Sequence, residues 1–354
     1  MRPTWLLGLA LLLGCTESAP PIIIRPATTP IQPDFEVRRE VRRIGFGGCA
    51  GDACSLTLLD TLAAYRPDVF IWLGDNVYAE HPDSLPAAYD RLAADSSFVN
   101  LKSTTRMLAT WDEYDCGGTP VNKEAFLAFW EDPVRSVRRE RAGVYASYLF
   151  DGARRDVLVI LLDARSFRSR LDSVEGVALR YADGAAYFAD HLPELSPDST
   201  VLGDEQWDWL EQQLSIPCDV RVVATSLPFG PAFNGRMTWA NFPQEQHRML
   251  DALAKAHAAE RTVFVSGVSH FGEVSRLDSG QIDGWPHDLP ALYDVTSSSL
   301  ASTPGRPTEN RHRVGDPVTT HNVGLLEWHG ENEVTARLLT SPAEAGGTWE
   351  LKLP

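Results

Sequence analysis

Residues 67–78 read Pro-Asp-Val-Phe-Ile-Trp-Leu-Gly-Asp-Asn-Val-Tyr. The five apolar residues at 69–73 predict a strand that is buried on both faces. Gly74 follows, and because it has no side chain it permits a tight turn that places Asp75 at the end of the strand. Upstream, residues 41–47 predict another strand and residues 55–65 predict the helix between the two. This strand–helix–strand unit implies a parallel pair of strands and therefore an α/β fold.

Strand and helix patterns continue to alternate along the chain. Further buried strands are predicted at residues 156–162, 220–226, 262–266 and 323–328. Helices are predicted at residues 86–94, 123–130, 204–214 and 244–255. The last segments, at 324–329, 333–339 and 348–353, predict antiparallel strands. The polar region 278–317 is rich in Pro, Gly, Asp and Ser, and it predicts a surface excursion.

Composition limits the class of protein. The chain has 354 residues, of which 44% are hydrophobic and 23% charged, as in ordinary globular proteins that bury a sizeable core. Its 32 Lys and Arg against 48 Asp and Glu give a net charge of −16. Since binding to a phosphate backbone needs a basic surface, we expect no nucleic-acid partner.

The N-terminus carries a processing signal. Arg2 precedes an apolar run at residues 5–13, which is about half of the ~20 residues needed to cross a bilayer. The run ends in Leu-Leu-Gly-Cys15, which resembles a bacterial lipobox, although an ordinary secretory signal is the alternative. We therefore expect a lipoprotein signal peptide at 1–14, a tether at 15–40 and a folded domain at 41–354, with the protein held on the bacterial cell envelope only by a lipid on Cys15.

Four further cysteines are compatible with an exported protein. They are Cys49, Cys54, Cys116 and Cys218. An oxidising compartment permits disulfides, and four cysteines allow three pairings among which the sequence does not choose. The spacing of Cys49 and Cys54 matches no common zinc motif.

Side chains of the kinds that bind metals follow several predicted strands. They are Cys49, Asp75 with Tyr78, Asp163 with Arg165, and His270. Each alone can have a purely structural role, since an Asp at a strand end can cap a loop and a lone His is often structural. Because ligands of open α/β sheets bind at the carboxyl ends of the strands, their repetition at one edge favours a metal site.

Six motifs, in the same order, resemble those of the alkaline phosphatase D type of metallophosphatase. They are Phe46-Gly-Gly-Cys49, Pro67 to Tyr78 as quoted above, Ala109-Thr-Trp-Asp-Glu-Tyr-Asp-Cys-Gly117, Leu162-Asp-Ala-Arg-Ser-Phe-Arg168, Leu202-Gly-Asp-Glu-Gln-Trp-Asp-Trp-Leu-Glu-Gln-Gln-Leu214 and Val265-Ser-Gly-Val-Ser-His-Phe-Gly-Glu273. The resemblance covers residues 41–340. It implies a four-layer α/β/β/α metallophosphatase-like sandwich that hydrolyses small phosphate esters with iron and calcium.

The resemblance also assigns site residues. It makes the metal ligands Cys49, Asp75, Tyr78, Asp112 and His270. It makes the catalytic residues Asp75, His270, Arg165 and Arg168, with the two arginines binding phosphate oxygens. For the arginines, a salt bridge to Asp163 or to another carboxylate is the alternative.

Three positions depart from the family motifs. Tyr114 replaces a His, Thr119 stands near the position of a metal-binding Asn, and Val268 replaces an Asp. Asn122 could substitute for the missing Asn only if the loop were re-spaced. Two hypotheses follow: a phosphoesterase with a reduced metal site, or a binding or structural module that keeps the fold without the activity. A disulfide between Cys49 and Cys54 would favour the second, since it would remove the thiolate.

Overall fold

The computed structural model describes residues 31–353 except 52–55, 80, 117–119, 283–284, 286–288, 331–332, 343 and 345. The strands within this part are β1 Phe35–Arg38, β2 Arg43–Gly47, β3 Val69–Leu73, β4 Arg106–Thr110, β5 Ala146–Asp151, β6 Val157–Leu161, β7 Ala178–Arg180, β8 Ala186–Phe188, β9 Val220–Thr225, β10 Thr262–Ser266, β11 Glu273–Leu277, β12 Leu292–Thr296, β13 Val323–His329, β14 Glu333–Leu339 and β15 Gly347–Lys352. The helices are α1 Thr57–Ala63, α2 Leu85–Ala94, α3 Ser96–Thr104, α4 Glu113–Cys116, α5 Pro120–Phe129, α6 Val137–Glu140, α7 Gly203–Leu214 and α8 Pro243–Lys255. None of these helices is long and apolar enough to span a membrane.

Two large sheets form the centre of the fold. One has seven strands in the order β1-β5-β6-β9-β10-β12-β11, and the other has six in the order β15-β14-β13-β2-β3-β4. Strands β2, β3 and β4 are parallel, as are β6, β9, β10 and β12. The predicted parallel pair of β2 and β3 is therefore confirmed, with Ile44 opposite Val69.

Three apolar clusters define four layers. Residues 69, 71 and 73 of β3 pack between the sheets, together with Val159 and Leu161 of β6. The other face of β3, with Trp72, packs against α1 and α3, while Ile160 of β6 faces α7 and α8. Each central strand is buried on both faces, and its sequence is therefore a continuous apolar run. The α/β/β/α sandwich is thus confirmed, and the molecule belongs to the α/β class.

Two predictions about the organisation of the chain need correction. The region 278–317 is not only a surface excursion, because it contains β12, which pairs between β10 and β11 in the seven-stranded sheet. The expected tether at 15–40 contains β1, which pairs in parallel with β5, so the predicted domain boundary at residue 41 is too late. The expected signal peptide and Cys15 lie outside the described residues.

Candidate active site

The carboxyl ends of parallel strands from both sheets meet at one edge of the sandwich, which we call the site edge. Predicted site residues follow five of these strands, in chain order Cys49, Asp75, Asp112, Asp163 and His270. The two sheets touch here, since the hydroxyl of Thr110 at the end of β4 donates to the Leu162 carbonyl after β6 at 2.7 Å. This contact brings the loops of both sheets into one site.

Cys49 and Asp75 face each other at the site edge. The Cys49 Sγ lies 3.8 Å from Asp75 Oδ2, and both side chains are buried. The Ser298 hydroxyl, from the loop after β12, donates to Sγ at 3.3 Å. Cys49 is a free thiol, and its burial next to Asp75 raises its pKa above the ordinary range of a cysteine.

Gly74 lets the loop after β3 lie directly against the loop after β4. Its φ is +98°, and a Cβ here would lie 2.8 Å from the Asp112 Cβ. This approach brings the Asp75 and Asp112 carboxyls close enough to interact. Burial, followed by the charges of Asp112 and Asp115, raises the pKa of Asp75.

Asp115 holds these loops in place, and sequence reasoning gave it no role. Its carboxylate accepts backbone N–H groups from Asp75 at 3.3 Å, Asn76 at 3.0 Å and Asp112 at 2.7 Å. Burial raises its pKa to about 7, although these hydrogen bonds act in the opposite direction. The sequence feature that could have identified Asp115 is its position three residues after Asp112, a spacing typical of local side-chain capping.

Asp112 and Arg165 connect the two sheets. Their side chains lie 3.7 Å apart, and the same guanidinium contacts Glu113 at 3.0 Å. Among the described residues, neither Asp112 Oδ2 nor one terminal nitrogen of Arg165 has a hydrogen-bond partner, although both atoms are buried. These two groups are therefore left to interact with a ligand between the loops.

Arg168 lies beside the same site. Its Nη1 donates to the sulfur of Met237 at 2.7 Å, and its buried Nε has no partner among the described residues. Burial, together with the nearby charge of Arg165, lowers the pKa of Arg168.

The alternative role of the arginines, a salt bridge to Asp163 or to another carboxylate, is confirmed for Arg165, but its partners are Asp112 and Glu113 rather than Asp163. The carboxylate of Asp163 instead accepts the backbone N–H groups of Val144, Arg165 and Ser166 at 2.9 to 3.0 Å. Asp163 is thus a loop-capping residue, and Arg165 pairs with the carboxylates of the site itself, Asp112 and Glu113.

Tyr78 and Tyr114 form a stacked pair at the mouth of the site. Their ring centroids lie 4.3 Å apart with an interplanar angle of 14°. The Tyr78 hydroxyl is buried without a hydrogen-bond partner among the described residues, whereas Tyr114 is 46% exposed. Burial and the charges of Cys49 and Asp75 raise the pKa of Tyr78 above its usual range. The residue that replaces the family's His therefore covers Tyr78.

His270 is turned toward the loop at residues 302–305. Its Nδ1 lies 3.3 Å from the carbonyl oxygen of Thr303 and 3.5 Å from the Ser302 hydroxyl. Val268, two residues earlier, has a φ of +67°, which is unusual for a β-branched residue.

The structure brings only part of the predicted ligand set together. Cys49, Asp75 and Tyr78 are neighbours, and Asp112 adjoins Asp75. Within the described ranges, no three His, Cys, Asp or Glu side chains are grouped so that they could hold a metal ion by themselves. Thr119 lies outside the described residues, and Asn122 is buried in α5.

Comparison with known protein families places residues 118–337 in a family described as PhoD-like phosphatase. Cys49, Asp75 and Asp112 precede the matched range. No curated protein matches the sequence.

Solved structures share the fold over nearly the whole chain. PhoD is 15% identical with a TM-score of 0.64, and the alignment covers 91% of this chain and 71% of PhoD. The purple acid phosphatase PPD1 from yellow lupin is 10% identical with a TM-score of 0.59, covering 91% of this chain and 55% of that enzyme. GAP50 of Plasmodium, described as the anchor in the inner membrane complex, is 13% identical with a TM-score of 0.55, covering 89% and 90%. The family match extends over more than half of the chain, which therefore belongs to the PhoD-like phosphatases.

Proposed function

We propose that this protein is a metal-dependent phosphoesterase that hydrolyses small phosphate esters. The observation that carries this proposal is the buried group at the site edge, in which the facing Cys49 and Asp75 lie beside the unpartnered Asp112 oxygen and opposite Arg165. Acidic groups on one side and a guanidinium on the other suit a phosphoryl group held between a cation and an arginine.

We infer that Asp75, Asp112 and Tyr78 together would hold one metal ion. Asp75 and Asp112 are buried carboxyls, and neither Asp112 Oδ2 nor the buried Tyr78 hydroxyl has a hydrogen-bond partner among the described residues. A cation among them would remove the cost of burying these groups in their charged forms. Thiolate and phenolate donors favour iron, and carboxylates also accept calcium. We infer a reduced site, since Val268 has no donor atom and the exposed Tyr114 covers Tyr78.

A metal ion bound here would act as a Lewis acid on the phosphoryl oxygens and would lower the pKa of a bound water. Arg165 and Arg168 would bind the remaining phosphoryl oxygens through their unpartnered nitrogens. Glu113 keeps Arg165 in position by its contact at 3.0 Å.

We propose that His270 exchanges a proton with the substrate. The Thr303 carbonyl near Nδ1 can only accept a hydrogen bond, so Nδ1 carries the proton of the neutral ring. Nε2 is then the ring nitrogen that would exchange a proton with the leaving oxygen.

We further propose that the protein is exported and tethered to the cell envelope through a lipid on Cys15. The signal-like sequence at 1–14 supports this proposal.

Asp75→Asn tests the proposed activity. The variant keeps the size of the side chain and removes its charge, so we expect it to lower phosphoesterase activity by about 10²-fold and to reduce bound metal. Activity on a panel of phosphate esters and elemental analysis measure the two effects. Asp208→Asn, on the exposed face of α7, is the matched control and should change neither.

Retention of full activity by Asp75→Asn would show that the site is wrongly placed. Wild-type protein that takes up no metal after incubation with iron and calcium would contradict the proposal that the protein is a metal-dependent enzyme.

The competing function is a binding or structural module. Val268 and the absence of a three-residue ligand cluster among the described residues favour it, and GAP50 is a protein of this fold that is described as an anchor. Wild-type protein that binds metal but hydrolyses no ester in the panel would support the module.

A further inference from the structure

A cavity adjoins the site edge at His270. It has a volume of ≈ 310 Å³ and is lined on its apolar side by Met237, Val268, Phe271 and the ring of Tyr181. Met237 joins the cavity to the phosphoryl site, because its sulfur accepts the hydrogen bond of Arg168. A group bound in the cavity would therefore lie next to a phosphoryl group held by the arginines.

Two arginines and two tyrosine rings in contact with one another form one wall of the cavity. Arg236 lies over the Tyr187 ring at 4.8 Å, Tyr187 packs on Tyr181 with 4.4 Å between centroids, and Arg306 covers Tyr181 at 4.5 Å. Stacked cation–π contacts of this kind hold the rings in fixed orientations. The wall is therefore an ordered aromatic surface.

The β7–β8 hairpin that carries this wall is fixed to both neighbouring loops. Ala182 donates its N–H to the Pro307 carbonyl at 2.9 Å, and Asp190 donates its N–H to the Gly235 carbonyl at 2.9 Å. A Cβ on Gly235 would lie 2.6 Å from that of Ala189, so only glycine permits this approach. The cavity is thus formed before any ligand binds.

The arginines and the amide of its lining are already paired. Arg236 forms an ion pair with Asp190, and Arg306 forms one with Asp183. The Asn234 amide donates to the Thr308 hydroxyl at 2.9 Å and accepts the backbone N–H of Arg236 at 3.0 Å. Since no net charge and few free donors remain on these residues, the lining favours a neutral ligand over a sugar or a second anion.

We propose that this cavity binds the leaving group of the ester and that this group is a neutral aromatic alcohol. Val268 keeps the wall uncharged at the position where the family motif has an Asp. The volume lies near the lower end of the range for small-molecule sites, about 300 to 1,000 Å³, which suits one or two fused rings. The inference rests on the proposed phosphoesterase activity and names its substrate class.

Binding of two phosphonates, which are not hydrolysed, tests the inference without requiring turnover. Calorimetry on the full chain would compare 1-naphthylphosphonate with methylphosphonate. We expect the aromatic ligand to bind wild type at least ~10-fold more tightly, because only it fills the cavity. Tyr181→Ser and Val268→Thr should reduce that preference and leave methylphosphonate binding unchanged.

Val268→Thr keeps the shape of the side chain, so it remains informative if Tyr181→Ser folds poorly. Val134→Thr, at a position that is 87% exposed, is the matched control and should keep the full preference. Equal binding of the two phosphonates by wild type would overturn the inference and leave the phosphoesterase proposal intact. Failure of both to bind would instead overturn the proposed function, and the leaving-group assignment with it.

Discussion

Left-handed backbone conformations are concentrated at the site edge. Eight described non-glycine residues have a positive φ, and five of them lie in the loops of the site: Cys49, Asp75, Val268, His270 and Ser299. Such conformations cost about 1–3 kcal/mol each and persist where the surrounding structure enforces them. The loops after β2, β3, β10 and β12 are thus held in strained forms that direct side chains toward one point.

Val268 should be the most strained of these residues. Its φ of +67° is poorly tolerated by a β-branched side chain, whereas Asn adopts this region readily. We expect Val268→Asn to increase the free energy of unfolding by about 1 kcal/mol, measured by urea denaturation. Val314→Asn, which changes a partly exposed valine without a positive φ, should alter stability by less than about 0.5 kcal/mol. A loss of stability in Val268→Asn would show that the valine packs favourably enough to outweigh its strain.

Strands that are buried on both faces could be predicted from sequence almost to the residue. Residues 69–73 and 262–266 match β3 and β10 in full, because a short apolar run between turn-forming residues is typical of a central strand. Strand β12 could not be predicted, since Asp294 interrupts its apolar pattern and turn-forming residues surround it. That carboxylate is buried and accepts the backbone N–H groups of Phe229 and Gly230, both at 2.8 Å. These two backbone partners lie more than sixty residues away, so no local pattern reveals them.

Asp294 should make stability depend on pH. Burial raises its pKa from 3.8 to about 6, and Glu273 of β11, itself paired with Arg313, adds to the effect. A carboxyl with a raised pKa binds its proton more tightly in the folded state, so the free energy of unfolding decreases as pH rises from about 4 to about 6. Asp294→Asn should remove this contribution, on the order of 2 kcal/mol across that interval.

Urea denaturation of wild type and Asp294→Asn at several pH values measures the difference between their pH profiles. Asp208→Asn, exposed on α7, should follow the wild-type profile. Parallel profiles for wild type and Asp294→Asn would mean that Asp294 is ionised throughout this range.

At the scale of the molecule, the site depends on how the two sheets meet. The sequence identified residues at strand ends, and the structure brings Cys49 to Asp75 and Asp112 to Arg165. The sequence could not show that His270 turns toward Thr303, because that orientation is fixed by a loop distant in the chain. Pairings across the inter-sheet contact depend on tertiary packing, which a strand pattern does not contain.

The first strand connects the folded part to the expected anchor. Strand β1 runs parallel to β5, and β5 is antiparallel to β6, so β1 begins at the site edge, where β6 ends. Asp34, just before β1, is held there by two hydrogen bonds of 2.6 Å from Arg141. Eighteen residues lie between Cys15 and Asp34, a stretch of chain that spans at most about 65 Å. A lipid on Cys15 would therefore keep the site edge within that distance of the membrane surface.

Labelling with a radioactive fatty acid in a bacterial host tests this anchor. We expect label on the wild-type protein and none on Cys15→Ala, because the lipobox cysteine is the only proposed point of attachment. Cys218→Ala, which removes a free thiol from the folded part, is the matched control and should keep the label. The unlabelled variant should also leave the membrane fraction, since one short apolar run without a lipid does not span a bilayer. Equal label in wild type and Cys15→Ala would mean that residues 1–14 act as an ordinary secretory signal and that the site edge is not held near a membrane.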